Sequence, residues 1–207
     1  MLIANSELRN MGLEKQGFKP TGCIGKIIGK LMNNLHTALY VKYIENNLPN
    51  DNSIIIDIGC GGGKFIKYLS LANDSYKLFG FDHSPEMIEL SKKVNKQAIN
   101  KKQVSIIQAS VSEIPLENNN IDLATAFETV QFWTDIDQSF SGIANLLKNK
   151  GSFLIINRNP KEGNKWWKMA KIKNDQEYIA KLKNAGFSEV VIDLNFKKGW
   201  IIVKATK

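Results

Sequence analysis

The residues with the clearest capacity for chemistry lie in IIIDIGCGGGKF, at 54–65. Three isoleucines lead into Asp57, and glycines stand at 59, 61, 62 and 63. Such a run predicts a buried strand ending in a carboxylate, followed by a turn nearly free of side chains. Glycine permits positive φ and lets another group come close to the backbone. Asp82 lies 25 residues beyond Asp57, in KLFGFDHSPEM, at the end of a second predicted strand. An acid there is placed to accept both hydroxyls of a ribose. A dinucleotide site of the G-x-G-x-x-G type would need glycine where this chain has Lys64. A carboxylate at Asp57 would also repel a pyrophosphate and attract an ammonium group. The pattern therefore predicts a ligand with an adenosine ribose, a cationic amino group and no phosphate.

Other side chains are candidates with competing structural explanations. His36 is one of two histidines. On a covering helix it is placed to act as a general base, or to pack or bind without chemistry. Glu128 follows a predicted strand and would position or polarise a nucleophile, or cap its own loop. His83, next to Asp82, would line an adenosine pocket or stay exposed. Phe132 and Trp133 would face a sulfonium or a flat substrate by a cation–π contact, or sit in the core. Trp166 and Trp167 are adjacent and cannot share one helical face. One belongs to the core, and the other, taken as Trp167, faces substrate. Cys23 and Cys60 have neither metal-ligand nor disulfide spacing, so no metal is expected. Cys60 reads as a small side chain among glycines.

The elements that must position these residues alternate. Strands are predicted over 53–58, 77–81, 104–108, 121–127 and 152–157, with helices over 64–71, 85–100, 136–147 and 175–184. Two last strands, over 190–194 and 200–204, are joined by a loop short enough for a hairpin. Ser84 and Pro85 suit the N-cap and first position of a helix. The expected fold is α/β, a Rossmann-like doubly wound seven-stranded sheet with an antiparallel C-terminal strand. Helical spacing over 24–47, interrupted by Gly25 and Gly29, adds an N-terminal helical cover. A single domain over 51–207 preceded by an arm and cover over 1–50 is expected.

The 207 residues, 43% hydrophobic and 23% charged, fit one globular domain. No apolar run approaches the length of a membrane span, and the N-terminus lacks the continuous apolar core of a signal peptide. A cytoplasmic location without membrane association is expected. Charge is uneven. Residues 1–147 hold 14 Lys+Arg against 15 Asp+Glu, and 148–207 hold 14 against 5, a balance of +9. That is either a solvated lysine-rich surface or an attraction for nucleic acid. Only Arg9 and Arg158 offer the guanidinium fork suited to phosphate.

S-adenosylmethionine meets the three conditions on the ligand, and the chain resembles the class I S-adenosylmethionine-dependent methyltransferases. The resemblance is to the small-molecule type, similar to methyltransferase domains 11 and 25. Asp57-x-Gly59-x-Gly61-x-Gly63 is similar to the family's first motif, whose loop, Cys60 included, wraps the methionine part of the cofactor. Asp82 matches the ribose-binding acid, and Met87 a position near the adenine. IIQASVSEIPLENNNIDLATAF resembles "GDAEDLPFPDNSFDLV", with Ser110 in place of the Asp that bonds the adenine amino group. Adenine contact would then rest on the Ser110 hydroxyl or the Val111 backbone. Phe127 joins His83 in the implied cofactor-binding set. NLLKNKGSFLIINR resembles "RVLKPGGRLLI", with Lys150-Gly151 at the turn. PTGCIGKIIGKLMNNLHTALY resembles a "P-x-G-x-x-G…M-N-x-x-H" leader that covers the cofactor, and ETVQFWTDID resembles "ETVYFWPDL".

The implied activity is methyl transfer to an O, N or C nucleophile of a small molecule. Two other functions remain open. An RNA or protein methyltransferase would use the basic segment, although FETV after the fourth strand lacks the Asn/Asp-Pro-Pro-Tyr/Phe motif of exocyclic adenine methylation. A non-catalytic cofactor-binding module would be consistent with Ser110. Oligomeric state does not follow from the sequence.

Overall fold

The computed structural model describes residues 37–45 and 47–207. Seven strands form one sheet in the order β3-β2-β1-β4-β5-β7-β6. They are β1 (Ile54–Ile58), β2 (Lys77–Asp82), β3 (Val104–Gln108), β4 (Ile121–Phe127), β5 (Leu147–Arg158), β6 (Glu189–Asp193) and β7 (Trp200–Thr206). The first five strands run parallel. β7 is antiparallel to both β5 and β6, as two strands joined without a crossover must be. The doubly wound sheet with an antiparallel C-terminal strand is thus the observed architecture. Among the described residues no helix is long and apolar enough to cross a membrane.

Helices cover both faces: α1 (Thr37–Ile44), α2 (Lys64–Ala72), α3 (Pro85–Val94), α4 (Lys96–Asn100), α5 (Ile136–Leu146), α6 (Lys165–Met169) and α7 (Asp175–Asn184). Alternate residues of β1 divide the core. Ile56 and Ile58 pack with Phe140, Phe153 and Leu182 on the α5/α7 side. Ile55 packs with Leu39, Ile66, Leu69 and Ile88 on the α1/α2/α3 side. A parallel strand covered on both faces has no polar side, which explains the unbroken IIIDI. Caps fix the helix starts. Ser84 Oγ accepts from the Met87 N–H, Asp135 Oδ1 from Gln138 and Asn174 Oδ1 from Glu177.

Three departures from the predicted elements have local causes. The helix expected over 85–100 breaks at Asn95, which is 2% exposed. Its amide donates to Ser91 O at 3.0 Å and across to Gly63 O at 2.9 Å, so the side chain competes with the helical ladder. The strand expected over 152–157 extends back to Leu147, because Leu147 pairs with Ile121 before the register shifts and Ser152 pairs with Leu123. Lys150, at φ 66, and Gly151, where the sequence predicts a turn, lie within β5 at this irregularity. α6 is additional, capped by Asn164, whose Oδ1 accepts from the Trp167 N–H at 2.9 Å. Of the expected N-terminal cover only α1 falls within the described residues. His36, Cys23 and the leader motif lie outside them.

Asn95 thus bolts α3 to the start of α2 beneath the glycine turn. Asn95→Ala removes two buried donor bonds and is expected to lower stability by about 1–3 kcal/mol, read by urea unfolding.

Candidate cofactor and active site

The site is built at the carboxyl ends of β1, β2 and β4, where the strand order reverses. Asp57 is 3% exposed. The β1–β4 register sets it beside Thr125, whose hydroxyl donates to Asp57 Oδ1 at 2.7 Å. Among the described residues no cationic side chain pairs with it. Burial pushes the Asp57 carboxyl up to about 7, the nearby Asp82 charge adds to the rise, and the Thr125 bond opposes it.

The glycine turn is held from within. The N–H groups of Gly59 and Cys60 both donate to Phe81 O, at 2.7 and 2.9 Å, and Gly63 N–H donates to Cys60 O at 3.0 Å. A Cβ on Gly59 would lie 2.3 Å from Thr129 Cγ2, and one on Gly63 2.1 Å from Ser91 Oγ. At these two positions it is the chain itself that comes close to the backbone. Gly61, at φ +51, has no heavy atom within 4 Å of its Cβ position, so open space for a ligand lies there. The Cys60 thiol turns inward, 3.9 Å from Ser91 Oγ, and burial raises its pKa well above the ordinary thiol value. Its side chain is a packing group, and only its backbone belongs to the turn's surface.

Asp82 ties this turn to the adjacent strand end. Its Oδ2 accepts from Gly61 N–H and its Oδ1 from Ser84 N–H, both at 2.9 Å. Burial raises its pKa, against the lowering effect of these bonds. The His83 backbone N–H adds a further lowering hydrogen bond, and the four lone pairs of the carboxylate are not all taken up by these three donors. His83 is half-exposed, with Nδ1 3.7 Å from Asp82 Oδ1. Met87 is buried in the first turn of α3. Pairing of Asp82 with Gln108 and the bond from Ala109 N–H to Asp82 O bring the β3 end alongside. There Ser110 Oγ accepts from Ser112 N–H and caps the short 3-10 turn Val111–Glu113. The structure therefore gathers Asp57, Gly61, Asp82, His83, Met87, Ser110 and Val111 at neighbouring strand ends.

The corner after β4 differs from expectation. Glu128 has φ 54 and is 6% exposed. Its Oε1 accepts from the Tyr40 hydroxyl at 2.7 Å and its Oε2 from Arg158 Nε at 3.0 Å. The Arg158 guanidinium lies 3.8 Å from the Trp200 ring centroid and 5.2 Å from that of Trp166. Burial and the Glu128 charge push the Tyr40 hydroxyl far above its ordinary range, so it stays a donor. Glu128 is thus a neutralised tie between α1, β4 and β5, and the free catalytic carboxylate expected of it is not what this arrangement provides. Phe127 stacks on Tyr40 at 4.4 Å and meets Phe65 edge-on at 4.8 Å, on the α1/α2 side. Trp133 does not face substrate. It is 6% exposed and packs between Phe140 and Phe153, because apolar area outweighs its one polar N–H. Of the adjacent tryptophans, Trp166 lines the cleft beside β5, and Trp167 lies under Lys173 Nζ at 5.0 Å. Trp167, expected to face substrate, is not among the residues that line this cleft.

Residues 56–155 match the family described as a methyltransferase domain. That match covers just under half of the chain, which is thereby similar to the class I S-adenosylmethionine-dependent methyltransferases. It is 27% identical over 170 residues to the uncharacterized methyltransferase YdaC of Bacillus subtilis, covering 77% of this chain and 90% of YdaC. A Methanococcus maripaludis structure, proposed as an S-adenosyl-L-methionine-dependent methyltransferase, is 25% identical at a TM-score of 0.66, covering 86% of this chain and 92% of that one. The S-adenosylmethionine-dependent methyltransferase of Aquifex aeolicus shares the fold at a TM-score of 0.72 and 17% identity, covering 87% and 97%. The chain spans only 38–52% of the length of the first curated relatives it matches.

The residues at this site fit the cofactor of that family. Asp57 is a buried carboxylate in want of a cation, Gly61 leaves open space beside it, and Asp82 presents lone pairs at the next strand end. Several residues here were not singled out from sequence. Thr125 holds Asp57, Thr129 fills the space over Gly59, and Tyr40 and Arg158 hold Glu128. Arg158 alone left a signal, as one of two arginines in a lysine-rich chain.

Gly63→Ala should lose about 2–3 kcal/mol, because overpacking adds to strain at positive φ. Gly61→Ala should lose about 1 kcal/mol and act chiefly on cofactor affinity, with urea unfolding and calorimetry as readouts. For Asp57 the folded pKa is raised, so its contribution to stability is complete below the unfolded value near ~4 and is lost as pH rises to about 7. Asp57→Asn should therefore be more stable than the parent by about 2–4 kcal/mol at pH 8, with the gap closing towards pH 4 in urea titrations.

Proposed function

We propose that this protein transfers a methyl group from S-adenosylmethionine to an O, N or C nucleophile of a small molecule. The observation that carries the proposal is the buried Asp57 carboxylate, which among the described residues has a hydroxyl as its side-chain partner, beside a turn that opens at Gly61. When bound, S-adenosylmethionine supplies a methyl group already activated on a sulfonium. Asp57 would hold the cofactor's ammonium group, and Asp82 its ribose hydroxyls. His83, Met87, Ser110 and Val111 would line the adenosine, with Ser110 offering an uncharged acceptor. Phe127 and the Glu128 tie would close the corner and exclude water, which alignment of the reacting groups requires. His36 is the remaining candidate base. In this proposal residues 51–207 form the methyltransferase domain, 1–50 its arm and cover, and the protein works in the cytoplasm.

The basic segment gives little support to a nucleic-acid or protein substrate. Lys148 pairs with Asp122 and Lys181 with Asp137. Lys171, Lys173, Lys183 and Lys207 bond backbone carbonyls of their own chain. Two of the segment's charges are thus paired with acids, and four more lysine ammonium groups are held by carbonyls of the fold itself.

Calorimetry should find saturable binding of S-adenosylmethionine and of its demethylated product. Asp82→Ala should weaken both by about 10- to 100-fold, the worth of bonds to a charged acceptor, in protein whose thermal melt remains cooperative. Absence of binding to either compound would overturn the proposal.

A further inference from the structure

A second cleft opens at the same edge of the sheet, between the turn after β4, the end of β5, and the α6–α7 region. Val130, Met169 and Ile172 form its apolar wall with Trp166. At its polar side Asn157 is 5% exposed and Tyr178 3%. Asn157 Nδ2 donates to the Tyr178 hydroxyl oxygen at 3.1 Å, and Asn157 Oδ1 has no hydrogen-bond partner. Turning the amide over only exchanges the two atoms and leaves the amino group unpaired instead. A buried polar atom lining a cleft without a partner is costly unless a ligand or water completes it. The Tyr178 hydroxyl accepts from Asn157 and keeps its own proton to donate. Burial pushes it up to about 12, so that proton stays in place at neutral pH.

The remaining polar groups at the cleft are engaged. Gln131 donates to Glu128 O, Lys171 to Thr134 O, and Arg158 to the Glu128 carboxylate. Among the described residues no carboxylate lines the cleft, so a cationic ligand meets no counter-charge there. Its cations are tied elsewhere, Arg158 to Glu128 and the exposed Lys171 to Thr134 O, and 4-fluorobenzoate tests whether either also takes an anion. The cleft is half-open, and its enclosed space has room for about one water-sized group. A group of that size that donates to an amide oxygen and accepts from a phenol is a water molecule or the hydroxyl of a ligand.

We propose that this cleft is the acceptor-side subsite, and that it takes a neutral small molecule by a hydroxyl bonded between Asn157 and Tyr178, its carbon skeleton lying along Trp166. Only the word acceptor rests on the methyltransferase proposal. The hydroxyl site itself is independent of it.

The test uses the full chain and 4-fluorobenzyl alcohol, followed by 19F NMR titration. 4-Fluorotoluene, 4-fluorobenzoate and 4-fluorobenzylamine serve as matched probes. The alcohol should bind saturably and at least about fivefold tighter than the other three. Asn157→Leu and Tyr178→Phe should each weaken it about tenfold with the melting curve preserved. If Asn157→Leu fails to fold, Tyr178→Phe decides alone. Equal binding of the toluene, tighter binding of the benzoate or the amine, or no saturable binding of the alcohol would each overturn the subsite. The last is the result if a water molecule simply completes Asn157. Loss of alcohol binding with cofactor binding intact overturns only this subsite. The reverse overturns the methyltransferase proposal and leaves a hydroxyl site.

Discussion

A carboxylate buried at the end of the central strand, with a hydroxyl as its hydrogen-bond partner, conditions the rest of this structure. Asp57 lies between β2 and β4, and its backbone pairs with Gly80 and Thr125. The cost of holding its charge out of water is met only in part by Thr125. The surrounding turn does little to relieve that cost, because the N–H groups of Gly59, Cys60, Gly61 and Gly63 are committed to Phe81 O, Asp82 and Cys60 O. A cationic ligand resolves the conflict where a phosphate would worsen it. Affinity for an ammonium group is thus built into the strand, and the turn's open side at Gly61 sets where such a group can come from.

A second, opposite solution to burying charge stands at the end of the neighbouring strand, β4. Glu128 is as buried as Asp82 but carries its own counter-ion. Arg158 bonds one oxygen and spreads its planar face over Trp200, a combination that lysine could not provide. Tyr40 bonds the other oxygen and thereby fastens α1 to the sheet. The left-handed backbone at Glu128, which costs about 1–3 kcal/mol, is held by these contacts and by the bond from its N–H to Ile156 O. One buried acid is left open to a ligand and the other is closed by the protein. The chemistry of the edge follows from that difference.

Beyond this tie, β5 turns to a different use. Ile156 packs on the α1/α2 side and Arg158 lies over Trp200 on β7, while Asn157, between them, points its amide towards Tyr178 of α7. Strand alternation thus divides one short segment between a structural charge pair and a polar cleft. The lysines of the C-terminal segment take little part in either. Those paired with Asp122, Asp137 and backbone carbonyls serve as local ties around the sheet.

The local order of residues determined the alternation of strands and helices, the acid–glycine turn, the second acid at Asp82 and the antiparallel end of the sheet. Each is written in short-range periodicity, in caps such as Ser84-Pro85, or in a spacing of a few tens of residues. Only the tertiary structure decided which neighbours meet. Pairing across 68 residues set Thr125 against Asp57, and contact across 88 residues brought Tyr40 to Glu128. Packing sent Trp133 to the core and Trp166 to a cleft, although both are equally apolar in the sequence. A side chain's type fixes what bonds it can make. Whether it spends them on its own chain or keeps them for a ligand depends on partners distant in sequence, which no local pattern contains.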